Sequence, residues 1–420
     1  MKEIIYAIFL SFFLCGLCGN AEAKKKKEVK KAIKREVQTP YDKLFKGKKA
    51  FTVNGLMKMH LMAGKVYAEF PIELLNRDLA LTSSIEDISD NGEGVVGQFA
   101  GRVNQFRFTL QDSMLQARLV RRYGVKNTGM GKNADQIIER SNTPGIFQSY
   151  KILAYTPDKK AVVVDMTELF LESSRLTNPF PSYAGNSLYG FVQRIHKFQS
   201  QRSELLGICG NDNSMSVHCN LGFNVDRLVL GSFMQAKDVP VSVTVNKILM
   251  LLPEDPMRPR LADSRIGVNA IIQTELPDVC QGIKTYYITK RWRIEPVDEI
   301  RYKQGEMVDV KKPIVFYIDT LMPDSWIKYV KAGAEAWNAA FEKIGLRNVV
   351  RTELFPKDSS FDAGDIHNSV IRYAPSWMYY PQYSMHTDPR TGEILNASVY
   401  LPANVASYFY TSRTEETMAG

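Results

Sequence analysis

From about residue 51 to 294, apolar residues recur mostly at every second position, the pattern of strands with one buried face. The clearest case is 239–252, where Val241, Val243 and Val245 alternate with polar neighbours. Runs 56–61 and 65–70 flank Ala63-Gly64 and predict a hairpin, and 151–155 and 161–165 flank Thr156-Pro157-Asp158 and predict another. Further strands are expected at 77–83, 105–110, 114–123 and 286–294, with one helical turn at 167–171. Past residue 313 the period changes. Pro313-Ile314-Val315-Phe316-Tyr317-Ile318 is a strand. Over 324–344, Trp326, Val330, Ala334, Trp337, Phe341 and Ile344 recur at steps of three and four, which predicts one core-packed face of a long helix. Pro323-Asp324-Ser325 supplies its start and Gly345 its stop. Strands at 349–354 and 369–373 follow, then the turn Asp388-Pro389-Arg390-Thr391-Gly392, then a last alternating strand at 394–401 expected to lie exposed at a sheet edge.

These shifts predict a multidomain chain: a small β-rich domain at 41–100, a β-rich accessory domain at 101–297, and an α+β region at 298–420 that begins at a seam between Pro296 and Pro313. There is no fixed-period repeat.

The first 23 residues have a different character. Lys2 precedes an apolar core at 4–17, 14 residues long and too short for a membrane span of about 20 residues. Ala21-Glu22-Ala23 fits the small-x-small rule, so a signal peptide cleaved after Ala23 is expected, with export to the periplasm, outer surface or medium. Lipid attachment at Cys15 or Cys18 is disfavoured because a leucine precedes each, and an uncleaved anchor is the remaining alternative. No other stretch is long and apolar enough to span a bilayer.

Charge excludes one class of partner. The chain carries +9 in all, but 24–35, from Lys24 through Arg35, holds eight basic residues and one acidic residue, a net of +7. The positive balance thus belongs to a basic linker at 24–40, a solvated spacer able to make weak contact with anionic lipid headgroups, and not to a basic binding face. Nucleic acid is therefore not an expected partner. Of the cysteines beyond residue 23, Cys209 and Cys219 flank a polar loop and could bridge in an oxidising compartment, leaving Cys280 odd.

Candidate chemistry is sparse. The histidines are His60, His196, His218, His367 and His386; none lies four residues from another and none is followed by Glu. His367 and His386 have Asp362, Asp365 and Asp388 nearby in sequence, but this is no established ligand spacing, and polar loop residues is the plainer reading. No Gly-x-Ser-x-Gly and no Gly-rich phosphate loop occurs. Within 257–267, Arg258, Arg260 and Arg265 with Asp255 and Asp263 read as an ion-paired strap between domains, with a carboxylate clamp as the functional alternative.

Four segments carry a resemblance: Met257-Arg258-Pro259-Arg260-Leu261-Ala262-Asp263-Ser264-Arg265-Ile266-Gly267; Ala336-Trp337-Asn338-Ala339-Ala340-Phe341; Asn368-Ser369-Val370-Ile371-Arg372-Tyr373; and Asp388-Pro389-Arg390-Thr391-Gly392-Glu393-Ile394. In this order they resemble the large secreted zinc-dependent metallopeptidases of Bacteroidetes-type bacteria, a metzincin-like group, over most of the chain from about Tyr41. The resemblance implies a β-rich N-terminal region followed by an incomplete zincin-like domain, with peptide or protein as substrate and zinc as cofactor of the full-length protein. It also implies that the cleft-edge strand holds the substrate backbone through Asn396, Ala397, Ser398, Val399 and Tyr400. The family's His-Glu-x-x-His helix is absent from these 420 residues. The expectation is therefore an N-terminal portion, inactive alone, with no catalytic residue and no catalytic zinc ligand, and with the apolar face of 324–344 partly uncovered. The alternative is an exported, non-enzymatic module that binds peptide or matrix.

Overall fold

Alternation does most of the folding in the first three hundred residues, because each period-two run must bury its apolar face against another sheet. The computed structural model describes residues 38–99, 103–120, 125–128, 132–172, 176–180, 192–229, 233–277, 282–357, 361–376 and 381–418. The expected signal peptide, nearly all of the basic linker, and Cys280 lie outside these residues. In chain order the elements are helix α1 (Pro40–Phe45), strands β1 (Phe51–Val53), β2 (Lys58–Met62), β3 (Lys65–Pro71), β4 (Leu79–Ile88), β5 (Asn104–Gln111), β6 (Met114–Leu119) and β7 (Val125–Thr128), and α2 (Lys132–Ser141). Next come β8 (Gly145–Lys151), β9 (Ala154–Tyr155), β10 (Ala161–Asp165), α3 (Thr167–Leu171), β11 (Val192–Asn211), β12 (Ser214–Val229), β13 (Phe233–Leu251), β14 (Ala270–Pro277) and β15 (Lys284–Thr289). The last part holds α4 (Glu299–Lys303), β16 (Val308–Asp309), β17 (Ile314–Ile318), α5 (Asp324–Glu335), α6 (Asn338–Glu342), β18 (Leu346–Arg347), β19 (Val350–Leu354), β20 (Ser369–Ala374), β21 (Gln382–Thr387), β22 (Ile394–Pro402) and α7 (Val405–Met418). The chain is thus β-rich and built from several sheets. Among the described residues no helix is long and apolar enough to cross a membrane.

A seven-stranded sheet in the order β11-β12-β13-β4-β5-β6-β8 faces a five-stranded sheet in the order β1-β2-β3-β10-β9. Along β12, Met215, Val217, Cys219, Leu221, Phe223 and Val225 point into the shared core and are buried. Phe70 of β3 meets Phe108 of β5 at 4.8 Å between ring centroids, joining the two sheets. This core draws on 56–85 and 106–249 alike. The expected division into domains 41–100 and 101–297 therefore does not separate two folding units: β4 pairs with both β5 and β13, and β3 pairs with β10.

The Cys209–Cys219 bridge does not form; both thiols are free. Cys209 lies opposite Ser216, whereas Cys219 lies opposite Leu205. Ser216 and Cys219 are three positions apart on β12, an odd offset, so the two thiols sit on opposite faces of the sheet. The Cys219 thiol donates to the Phe170 carbonyl at 3.3 Å, and burial pushes its pKa up to about 12. A cation shares this core. Lys247, fully buried on β13, donates from Nζ to the Glu172 carbonyl at 2.5 Å, and burial pushes its pKa down to about 8.

The last hundred residues form a mixed sheet in the order β19-β17-β20-β22-β21, with every neighbouring pair parallel except β21 against β22. The expected helix 324–344 is broken. After α5 the bonds Ala339 N to Ala336 O and Ala340 N to Trp337 O tighten the turn, and α6 begins at Asn338. The Asn338 amide explains the change of course: it donates to the Val350 carbonyl and accepts from Val350 N, both at 2.8 Å, and so hooks onto β19. Gly345 then turns the chain at φ +83.

Candidate functional site

The five residues expected at the free edge, Asn396, Ala397, Ser398, Val399 and Tyr400, lie on β22, which is hydrogen-bonded on both sides, to β20 and to β21. The interior position consumes their backbone groups, and all but Val399 are buried. The expected edge position is corrected accordingly: the strand at the edge beside β22 is β21, and β19 forms the opposite edge. The polar sequence of β21, Gln382-Tyr383-Ser384-Met385-His386-Thr387, gave no strand signal. Among the described strands β21 has a partner on one side only. Tyr383 projects from it and accepts from Asn269 Nδ2 at 2.9 Å.

The inner end of β21 is fixed by the accessory region. His386 is buried, its Nε2 pairs with the Thr82 hydroxyl at 2.5 Å, and its ring stacks on Phe99 at 3.7 Å. Burial pushes its pKa down to about 3, so the ring is neutral. The turn 388–392 is tied down as well. Arg390 grips Asp388 through Nε and Nη2, reaches Asp78 at 3.4 Å, and donates to the Pro253 carbonyl at 2.8 Å. Gly392, at φ +75, lies against the Thr289 carbonyl, which an added Cβ would meet at 2.3 Å.

Beside the sheet lies an open apolar cavity of about 770 Å³, lined by residues including Trp326, Val330, Trp337, Val399, Leu401 and Phe409. This alters the expectation for the helix face. Trp326, Val330 and Ala334 pack on Ile318, Met322 and Ile371 but are only partly buried, and Trp337 and Ile344 are exposed. The sheet is covered on this side without being sealed.

The strap 257–267 makes the Asp263–Arg265 pair expected of it, at 2.9 Å from Arg265 Nε, in an exposed setting where such pairs contribute little. Its stronger ties are backbone: the Arg258 carbonyl accepts from Arg291 and the Arg260 carbonyl from Thr289 N. The three arginines do not converge on a common carboxylate.

His367 and His386 are not brought together. His367 is exposed and pairs with Asp365 at 2.7 Å. His60 bonds Thr52 and Glu69, and His196 bonds Glu93 at 2.8 Å while stacking on Phe180. The remaining histidine belongs to a group that no local pattern announces. His218 Nδ1 lies 2.9 and 3.0 Å from the two oxygens of Glu86, and Asp362 completes a trio whose ligand-type atoms all lie within 4.8 Å of one another. Burial opposes the charge on His218, but the Glu86 hydrogen bond and the charges of Glu86 and Asp362 hold its pKa above the usual value. Burial and the Glu86 charge raise Asp362, against the bond from Gly364 N.

Two family descriptions match the chain. Domain of unknown function (DUF5117) matches residues 97–297, and Domain of unknown function (DUF5118) matches residues 38–88. Both matches lie within the β-rich region, and neither extends to the mixed sheet. No curated protein matches the chain, and no solved structure does.

Proposed function

We propose that this chain supplies the accessory β region and the substrate-edge scaffold of an exported zinc-dependent metalloendopeptidase. One observation carries the reading: a sheet of parallel strands, entered by a strand–helix–strand crossover, ends in a single antiparallel edge strand, β21. That is the arrangement the resemblance calls for, with β21 in the role first assigned to β22. An extended peptide added to β21 would bond through backbone groups, which suits an enzyme that must hold many sequences in one conformation. The open apolar cavity behind the sheet fits a scaffold that takes a further apolar helix.

The zinc chemistry itself does not fit the residues present. A His-Glu-x-x-His helix gives two imidazoles one turn apart, whereas the histidines described above are committed separately to Glu69, Glu93, Glu86, Asp365 and Thr82. No catalytic step is assigned to this chain. Hydrogen exchange with a ladder of extended peptides tests the scaffold role: protection of 382–387 is expected, with none over 396–400. Equal protection of both strands, or of neither, would overturn it. The same edge would serve a non-enzymatic peptide-binding module, and peptide hydrolysis by the native gene product, abolished by a chelator, separates the two.

A further inference from the structure

We propose that Glu86, His218 and Asp362 bind one divalent transition cation, of the Zn²⁺ or Mn²⁺ class, which clamps the outer face of the seven-stranded sheet to the loop entering β20. The three residues come from β4, β12 and the 361–368 loop, and their ligand-type atoms lie within 4.8 Å of one another. A metal about 2.0–2.2 Å from each ligand would draw them together by a fraction of an ångström. One imidazole with two carboxylates suits zinc or manganese better than magnesium or calcium, which favour all-oxygen shells.

The surroundings supply the second observation. Across β4, β13 and β12, Ser84, Asn246 and His218 are cross-strand neighbours in one row, on the face that carries Glu86. Asn246 is fully buried and Ser84 1% exposed, yet Asn246 Oδ1 and Ser84 Oγ have no hydrogen-bond partner, and neither does His218 Nε2. Of these, Asn246 reaches the group through its side-chain amide, and a fully buried amide oxygen without a partner is costly unless something beside it takes the bond. The Asn246 amide nitrogen makes only long contacts, 3.3 Å to Asp362 Oδ2 and 3.4 Å to the Gly364 carbonyl; turned over, the amide would offer Oδ1 to the same space. Gly364 lets the loop close over the group. A Cβ there would lie 3.1 Å from Asp362 Oδ1 and 3.2 Å from Glu86 Oε1.

The rival account needs no metal. A protonated His218 and the nearby Arg372, which donates to the Ala363 carbonyl at 2.9 Å, would between them offset the two carboxylates. Metal analysis of the tag-free, 420-residue chain separates the two. The chain is stripped with chelator, equilibrated with Zn²⁺, Mn²⁺ or Ca²⁺, and dialysed. One retained equivalent of Zn²⁺ or Mn²⁺ is expected, with a rise in Tm of several degrees. His218→Gln and Asp362→Asn should each weaken binding at least tenfold while keeping the far-ultraviolet spectrum. Should either variant fail to fold, the visible spectrum of Co²⁺-loaded wild type reports the site: nitrogen–oxygen ligation is expected, and a thiolate signature or no signal would overturn the proposal. Absence of saturable binding, or variants that retain wild-type stoichiometry, would leave the proton-and-arginine account standing. The lack of a His-Glu-x-x-His motif in this chain means that a positive result cannot come from the peptidase site proposed above.

Discussion

Two buried groups give the sharpest predictions at the scale of single residues. His386 is neutral in the fold, with its pKa pushed down to about 3, while an imidazole in an unfolded chain titrates near 6.5. Between those values the unfolded state binds the extra proton, so stability falls as the pH drops through that window, by at most about 1.4 kcal/mol per unit from this group. His386→Gln should flatten the fall between pH 6.5 and 4 in urea midpoints; parallel curves would contradict the assignment. Lys247 buries an amine for a single hydrogen bond to the Glu172 carbonyl. Lys247→Met should leave stability unchanged or raise it by about 1–3 kcal/mol, since removing a buried cation recovers its desolvation cost. A clear loss in chemical denaturation would give the Glu172 bond the larger share. At this scale the sequence was readable only where partners are local: the Asp263–Arg265 pair could be read from its spacing. Glu86, His218 and Asp362 are far apart in the chain and meet only through tertiary pairing, so no motif could have found them. The orphaned Asn246 was equally hidden, because it looks like any polar member of an alternating strand.

At the scale of elements, period and punctuation located most strands, including β2 and β3 around Ala63-Gly64, β10, β17, β19, β20 and β22. They did not yield pairing order. β22 has the apolar alternation of a strand and β21 does not, so the pattern marks β22 and leaves the edge strand beside it unmarked. The extent of β11, β12 and β13 was also hidden, because their polar faces dilute the apolar signal. Gly392 offers a test of how the turn between β21 and β22 is held. Gly392→Ala adds a Cβ 2.3 Å from the Thr289 carbonyl at a positive φ, and a loss of about 2 kcal/mol or more is expected. Gly47, at φ +77 with nothing within 4 Å, isolates the backbone cost, and Gly47→Ala should lose only about 1–2 kcal/mol. Equal losses in thermal denaturation would mean that the close approach to Thr289 contributes nothing.

For the whole molecule, the accessory sheets and the mixed sheet are held together by polar ties, Thr82 to His386, Arg390 to Asp78 and Arg293 to Glu393, and by an apolar cluster in which Ile248, Met250 and Leu252 pack with Ile366 and Leu395. An apolar surface lies open at α5, α6 and α7, where Tyr329, Trp337 and Phe409 are each more than half exposed beside the cavity. Such a patch drives association. Trp337→Lys should lower concentration-dependent self-association in sedimentation velocity without changing the unfolding midpoint by more than about 0.5 kcal/mol; unchanged association would place the contact elsewhere. The central proposal, that this chain serves as the scaffold of a zinc peptidase, is tested most directly by the coding sequence past codon 420 together with the intact mass of the native product. The account predicts a His-Glu-x-x-His helix within several tens of codons and a correspondingly larger mass. A native product that ends at Gly420 would contradict it.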